Sequence, residues 1–312
     1  MKIAVLGGGG AMGGIFGSRL AATGNDVTLI DVNSIAIDAI NQNGLKVDAK
    51  DGTSKTYRVK ASANPTDVGV VDVIMNFVKC YHTESAVKAA LPMMGANTTF
   101  LTLQNGWGNA AKIGGIAGED RVMVGLTYHS GTLVAPGHVK HPGMGMTYVG
   151  EINGKISTRL KALGEVLAGA GFEVTQSATI LNEVWKKLCL NVCTLPTAAL
   201  LRFFAHQLVQ HEGVKAEMHA LLHEVVAVAK AQNIEINFDE RWTAITSLLE
   251  KAVGGKASML QDVEAKRRTE IDVINGAIVV AGKRLGVATP HNDAMVNLIH
   301  SLEEAYLEEA KV

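Results

Sequence analysis

Cysteine, long apolar runs and surplus charge are all scarce in this 312-residue chain. Its three cysteines, Cys80, Cys189 and Cys193, form no C-x-x-C pair. So small and odd a number of thiols gives no disulfide framework and fits a reduced, cytoplasmic interior. No stretch reaches the ~20 uncharged apolar residues of a membrane span. The first residues read directly as a strand, without the basic start and small-residue cleavage site of a signal peptide. With 29 Lys and Arg against 30 Asp and Glu, the net charge is −1. That balance offers no electrostatic case for nucleic acid or an anionic membrane as partner. The basic triplet Lys266-Arg267-Arg268 reads as a solvated helix end. A content of 47% hydrophobic and 19% charged residues excludes a disordered chain, and the length suffices for two domains with separate cores.

Glycine, by contrast, is plentiful, and the run Gly7-Gly8-Gly9-Gly10-Ala11-Met12-Gly13 is the most informative feature. It follows the apolar, strand-like Lys2-Ile3-Ala4-Val5-Leu6 and opens an amphipathic stretch from Ile15 to Ala22. Strand, glycine turn and helix in that order are the context of a dinucleotide fingerprint. Gly8, Gly10 and Gly13 fit G-x-G-x-x-G: the first for the tight turn, the second for approach of a pyrophosphate, the third for close helix packing. The amides opening the helix, around Ala11 and Met12, then face the phosphates.

The first half alternates strand-like and helix-like segments, which predicts a doubly wound α/β fold, a Rossmann dinucleotide-binding domain. Val27 to Ile30 reads as the second strand, and Ser34 as the cap of a short helix ending before Gly44. Leu45 to Lys50 and Lys55 to Ala61 read as a hairpin around Asp51-Gly52. Val70 to Val78 has the continuous apolar character of a strand buried on both faces. Thr83 to Met93 reads as a helix, Thr98 to Leu103 as a strand, and Arg121 to Gly150 as an antiparallel extension rather than another βαβ unit. A helix from Ser157 to Gly169 and a last strand at Phe172-Glu173-Val174 complete this half.

Beyond about Thr179 only helical signals remain, over Leu181–Leu201, His211–Ala231, Arg241–Val253, Met259–Lys266, Glu270–Leu285 and Asp293–Glu309. The expected division is therefore a Rossmann domain over 1–177 and an all-helical domain over 178–312. There is no internal repeat or low-complexity linker, so the two domains are expected to pack directly. A cleft between such domains is a usual place for a small molecule.

Asp31 closes the second strand, 18 positions after Gly13. A carboxylate there can accept hydrogen bonds from both adenosine ribose hydroxyls and repels a 2′-phosphate, which favours NAD over NADP. It could also simply cap the turn. Lys187 and Asn191, four apart, share one helix face among apolar Val184, Leu188 and Leu190. A lysine facing a dry interior has a lowered pKa and makes a useful acid near neutrality; a lysine beside Lys186 can equally be a solvated charge. Ser258 and Glu270 would stand ~18 Å apart on one straight helix. Thr269-x-x-Asp272 resembles a capping box, however, and a break near Arg267-Arg268 could fold them onto one site. Asn105, in Gln104-Asn105-Gly106, follows the end of a strand, where ligands of open α/β sheets sit. His219 and His223 have helical spacing but no third ligand, so no metal site is expected. Cys189 and Cys193 read as small core residues.

Together these residues resemble the ketopantoate reductase family, over nearly the whole chain. The resemblance rests on the glycine run, Val78-Lys79, Gln104-Asn105-Gly106, Glu183-x-Trp185-x-Lys187-Leu188-x-x-Asn191, and Ser258-Met259-x-x-Asp262. It extends to Thr269-Glu270-Ile271-Asp272-x-Ile274-Asn275-Gly276 and Thr289-Pro290-x-Asn292. It implies a catalytic pair, Glu270 and Lys187, with Lys187 the general acid that protonates the forming alkoxide. Asn105, Asn191, Ser258 and Glu270 would hold a 2-keto acid and the nicotinamide end, with Lys79 along the adenosine side. Three departures matter. The turn carries an extra glycine, and Asp31-Val32 stands where NADP-dependent members carry a basic residue. Leu195 replaces an Asn found in many ketopantoate reductases; two turns from Lys187 and just before a kink at Pro196, it would face a bulky apolar substrate side chain. The resemblance therefore points to the branch of NAD-dependent D-2-hydroxyacid dehydrogenases that act on branched or aromatic 2-keto acids, mandelate dehydrogenases among them. An NADPH-dependent ketopantoate reductase and a non-catalytic NAD(H) sensor are the alternatives. The apolar faces of the helical half fit a homodimer.

Overall fold

Lys2–Leu6 forms β1, with four of its five residues buried, as in a strand covered on both faces. The computed structural model describes residues 1–309. From β1 the chain runs through α1 (Ala11–Ala22), β2 (Asp26–Ile30), α2 (Ser34–Asn43), β3 (Leu45–Ala49), β4 (Ser54–Tyr57), β5 (Lys60–Ser62) and β6 (Val71–Asn76). It continues through α3 (Thr83–Ala90), β7 (Met94–Thr102), α4 (Asn109–Ala117), β8 (Val122–Thr127), β9 (Ser130–Ala135), β10 (His138–Gly143), β11 (Thr147–Glu151), α5 (Thr158–Gly169) and β12 (Val174–Gln176). The helices α6 (Ile180–Leu201), α7 (Glu212–Ala231), α8 (Phe238–Lys251), α9 (Ser258–Glu264), α10 (Asn275–Leu285) and α11 (Pro290–Glu309) follow. Two compact units result. One comprises Met1–Gln104 with Asn109–Ile180; the other runs from Leu181 onward and includes Asn105–Gly108.

The first unit is a Rossmann-type fold on an eight-stranded sheet of order β12-β11-β8-β7-β6-β1-β2-β5. The strands from β5 across to β8 are parallel, and β11 turns antiparallel against β8. Alternation along β1 divides the interior: Ile3 and Val5 join one core cluster, with Phe16, Leu20 and Leu29; Ala4 and Leu6 join the other, with Ile74 and Phe100. Each buried Leu or Ile side chain contributes about 1.5–3 kcal/mol. A second sheet, β4-β3-β10-β9, lies beside α1, and Gly131 on β9 is so close that a Cβ there would meet Ala11 Cβ and Met12 Sδ at 3.1 Å. Next to it two buried imidazoles pair, His129 Nδ1 and His141 Nε2 at 2.8 Å. Burial first, then the neighbouring His141, lowers His129 to about 4.

Several expectations need correction. Asn33, not Ser34, caps α2, its side chain accepting from Ala36 N at 3.2 Å. The segment Lys55–Ala61 is not one hairpin strand: β4 pairs with β3, whereas β5 leaves to pair with β2 at the edge of the large sheet. The stretch from Arg121 to Gly150 serves both sheets, with β8 parallel to β7 and β9–β10 extending the small one. The chain does break between Ser258 and Glu270 as expected near Arg267-Arg268, at the adjacent Lys266, whose φ is +50°. No capping box forms at Thr269-x-x-Asp272. Instead Thr269 Oγ1 accepts from Ile271 N, and a short 3-10 turn (Ile271–Val273) precedes α10. The expected helix Glu270–Leu285 therefore begins only at Asn275.

In the helical unit, buried Asp262 anchors the break by accepting from the Arg267 guanidinium at 3.0 and 3.2 Å. Glu224 on α7 caps α11, its carboxylate accepting from His291 N and Asn292 N at 2.9 Å each. His219 and His223 pack with Phe238 and Trp242 as an aromatic cluster. No group of three potential metal ligands occurs among the described residues. Cys189 and Cys193 are buried, and burial drives both thiols above their ordinary value, Cys189 to about 12. No described helix is long and apolar enough to cross a membrane.

Candidate active site

The glycine turn is set by steric necessity. The backbone enters it at Gly7, with φ +75°, so the left-handed residue of the turn is Gly7 and not Gly8 as the G-x-G-x-x-G register suggests. A Cβ on Gly8 would lie 2.5 Å from Leu29 Cβ, and one on Gly13 would lie 2.3 Å from Gly7 O. Gly8 is therefore demanded by the close approach of the turn to β2, and Gly13 by the close approach of α1 to the turn. Gly10 is the N-cap of α1 and offers no side-chain cap, and the first turn holds no acidic residue. The end of the helix at Ala11, Met12 and Gly13 thus brings its partial positive charge without an anion of its own. The cradle fits a pyrophosphate. Gly13→Ala is expected to cost at least about 3 kcal/mol and to abolish NADH binding, read from the melting temperature and NADH fluorescence titration.

Asp31 stands half-buried at the end of β2 and ties two loops together. Its Oδ2 accepts from Gly9 N at 2.9 Å, and its Oδ1 from Asn33 N at 3.0 Å. Each oxygen keeps a further lone pair, so capping and ribose binding do not exclude each other. Val32 beside it is 95% exposed, and no Lys or Arg occurs from Asp31 to Gly44. Lys79 opens the turn after β6, at the start of a 3-10 helix (Cys80–His82). The preceding Phe77–Val78 backbone lies 3.0 Å from where a Gly7 Cβ would be. Sequence reasoning gave Gln104 no role, yet it clamps this corner. Its Nε2 donates to Val78 O (2.7 Å) and Thr83 Oγ1 (2.8 Å), and its Oε1 accepts from Asn76 Nδ2 (2.9 Å). The available signal was Asn76, a buried polar residue closing a strand whose preceding residues, Val73, Ile74 and Met75, are apolar.

The second unit gathers the other candidates. Lys187 is half-buried on α6 and donates from Nζ to Asn105 Oδ1 at 2.9 Å. Burial lowers its pKa to about 8, while the nearby Glu270 carboxylate acts in the opposite sense. Glu270 is itself buried, just before the 3-10 turn. The Asn105 loop is fixed from behind: Trp107 N donates to Val273 O at 2.7 Å, and a Cβ on Gly106 would lie 2.3 Å from that same oxygen. Because α6 is unbroken from Ile180 to Leu201, Lys187, Asn191 and Leu195 follow at i, i+4 and i+8 on one face. Asn191 and Leu195 are both buried. Leu195 stands ~12 Å along the axis from Lys187. Ser258 is the first residue of α9 and part-exposed; among the described residues no hydrogen bond joins it to the Lys187 group. The structure thus brings Asn105 and Glu270 to one ammonium of depressed basicity, that of Lys187, with Asn191 one turn along the same helix face, a group able to hand a proton to an oxyanion.

Family models for ketopantoate reductase PanE/ApbA match residues 3–154, and for its C-terminal domain residues 179–303. The 2-dehydropantoate 2-reductase of Halobacterium salinarum is 30% identical over 297 residues, 95% of this chain and 97% of that one. The Streptococcus pyogenes enzyme of the same name is 29% identical over 96% of this chain and 97% of its own. Among solved structures, D-mandelate dehydrogenase with NADH and anilino(oxo)acetate superposes with a TM-score of 0.93 at 28% identity, covering 98% of this chain and 99% of that one. A PanE/ApbA family ketopantoate reductase from Ralstonia eutropha gives a TM-score of 0.90 at 30% identity, covering 98% and 100%.

Proposed function

Because the chain belongs to the ketopantoate reductase family, we propose that it is an NAD(H)-dependent D-2-hydroxyacid dehydrogenase reducing bulky or aromatic 2-keto acids. The observation that carries the cofactor choice is Asp31, a carboxylate on the glycine turn with no basic residue in the loop that follows. Support for the substrate class comes from Leu195 on the Lys187 face and from the likeness to D-mandelate dehydrogenase with NADH.

Bound NADH supplies a hydride to the keto carbon. Lys187, protonated at Nζ, gives its proton to the keto oxygen as negative charge develops there. Asn105 Oδ1 holds that ammonium in line through the 2.9 Å bond. Glu270 stabilises the charged form of the lysine, so that burial lowers its pKa without emptying it of its proton at neutral pH. Asn191, one turn along α6, offers an amide to the acid's carboxylate or keto oxygen. Gly8, Gly10, Ala11, Met12, Gly13, Asp31 and Lys79 hold the cofactor in this reading, and Ser258 joins the substrate-binding set.

The test is a set of four rates: ketopantoate and benzoylformate, each with NADH and with NADPH. Benzoylformate with NADH far ahead is the expected result. Ketopantoate with NADPH far ahead would establish the second reading, a 2-dehydropantoate 2-reductase, which the names of the relatives favour. Binding of NADH with no turnover of any 2-keto acid would leave a nucleotide sensor. The reading includes a homodimer in the cytoplasm; sedimentation at micromolar concentration tests the dimer, and cell fractionation the location.

A further inference from the structure

Asn275 and Asn292, from the motifs Asn275-Gly276 and Pro290-x-Asn292, take no part in the chemistry above, yet both are fully buried. Pro196 accounts for the first. A proline inside α6 has no N–H, so the carbonyl of Val192, four residues earlier, has no helical donor. Asn275 supplies one from outside the helix. Its Nδ2 lies 3.2 Å from Val192 O and 3.1 Å from Asn292 Oδ1. Asn292 in turn donates from Nδ2 to Glu224 Oε2 at 2.7 Å. Both neighbours of Asn275 Nδ2 are acceptors, so the orientation of the amide is fixed. The cost is visible too: Asn275 Oδ1 is buried without a partner among the described residues, a loss of about 1–3 kcal/mol that a merely space-filling residue would not incur.

What the amide joins is the more telling point. Val192 follows Asn191 directly and stands five residues beyond Lys187. Asn275 stands five residues beyond Glu270, and between them Val273 O receives the Trp107 amide that fixes the Asn105 loop. One short turn, from Glu270 to Asn275, thus touches the helix of the general acid, the loop that orients it and the carboxylate beside it. We propose that Asn275 is a positioning residue, tying the turn that carries Glu270 to the helix that carries Lys187 through the carbonyl that Pro196 leaves without a helical donor. The inference rests on the reading of Lys187 and Glu270 as the catalytic pair.

Two variants test it, Asn275→Ala and the double substitution Asn275→Ala with Pro196→Ala. In the double variant the alanine replacing Pro196 restores an N–H for Val192 O, so the helix is repaired while the turn stays untied. Three quantities are measured on each: melting temperature, kcat and KM for NADH-dependent reduction, and the midpoint of Lys187 acetylation by acetic anhydride against pH, resolved by peptide mass spectrometry. In Asn275→Ala the Glu270 carboxylate is no longer held by the lysine. The Lys187 midpoint is then expected to fall by about half a unit or more, and kcat by about tenfold or more, with KM for NADH unchanged. The double variant should recover the melting temperature but neither kcat nor the midpoint. An unmoved midpoint in Asn275→Ala would overturn the proposal, as would full recovery of kcat in the double variant. If Asn275→Ala does not fold, the double variant carries the same readouts. A wild-type protein that reduces no 2-keto acid defeats the catalytic reading alone, because the acetylation midpoints need no substrate.

Discussion

Lys187→Ala is expected to lower kcat for 2-keto acid reduction by about 10²- to 10⁴-fold, with NADH affinity unchanged. The wild-type pH profile should carry the same signature. Reduction needs the protonated lysine, so its rate should be level below the Lys187 pKa of about 8 and fall tenfold per unit above it. Hydroxy-acid oxidation needs the neutral amine and should rise through the same midpoint. Wild-type turnover in the variant, or a reduction rate that stays flat to about pH 10, would remove Lys187 from its assigned role.

The same shift makes a statement about stability. Lys187 titrates near 8 when folded against an ordinary lysine value of 10.5, so between those values the unfolded chain binds more protons. Wild-type stability from this group therefore rises with pH across 8 to 10.5, and the penalty for burying the ammonium is fully present below 8. Lys187→Met should melt higher than wild type at about pH 7, by an amount equivalent to about 2 kcal/mol once the loss of the Asn105 bond is deducted. That advantage should disappear toward pH 10.5. A residue whose removal stabilises the protein while stopping the reaction is retained for its chemistry.

The second large effect is expected at Asp31. A unit charge about 5 Å from a phosphate is worth roughly 3 kcal/mol at an effective dielectric constant of about 20. Asp31→Asn should therefore shift the NADPH-to-NADH ratio of kcat/KM by about 10²-fold toward NADPH. Most of the change should appear in KM, because the residue touches the adenosine end and not the reacting atoms. The substitution also replaces a carboxylate that accepts from Gly9 N and Asn33 N, so a loss of about 1 kcal/mol in stability should accompany it. A ratio that moves less than about threefold would mean that Asp31 only secures the turn.

The elements that local chemistry determines were readable from the sequence: the glycine turn after β1, the switch from alternating strands and helices to helices alone, and the shared face of Lys187 and Asn191. What escaped depends on partners distant in the chain. In the small sheet β3 pairs with β10, and His138 Nε2 reaches Asp48 Oδ2 across 90 residues; nothing in the periodicity of either strand announces that. Hairpin alternation across Lys55–Ala61 concealed the departure of β5 because an edge strand of three residues has too few positions to show a period. The helix expected from Glu270 failed at its start because Thr269 N donates to Glu303 Oε1 at 2.7 Å, a bond across 34 residues that outweighs a local cap. In the site, Asn105 meets Lys187 across 82 residues, and only family resemblance had brought the two together. In the sequence Pro196 reads as a kink; its larger effect, a carbonyl offered to Asn275, arises only in the folded chain.

The two ends of this pattern meet in α11. Its first amides are capped by a carboxylate on α7, and its own Glu303 reaches back to the residue before Glu270. Besides its local start signals, Pro290 and Asp293, α11 is thus joined to α7 at its first turn and to the Thr269 segment through Glu303. The last helix is a clasp that joins α7 to the segment before Glu270. Any chain shortened by this helix would leave the buried Glu224 carboxylate and the Thr269 amide without these partners, at a cost of about 1–3 kcal/mol for each group left unsatisfied.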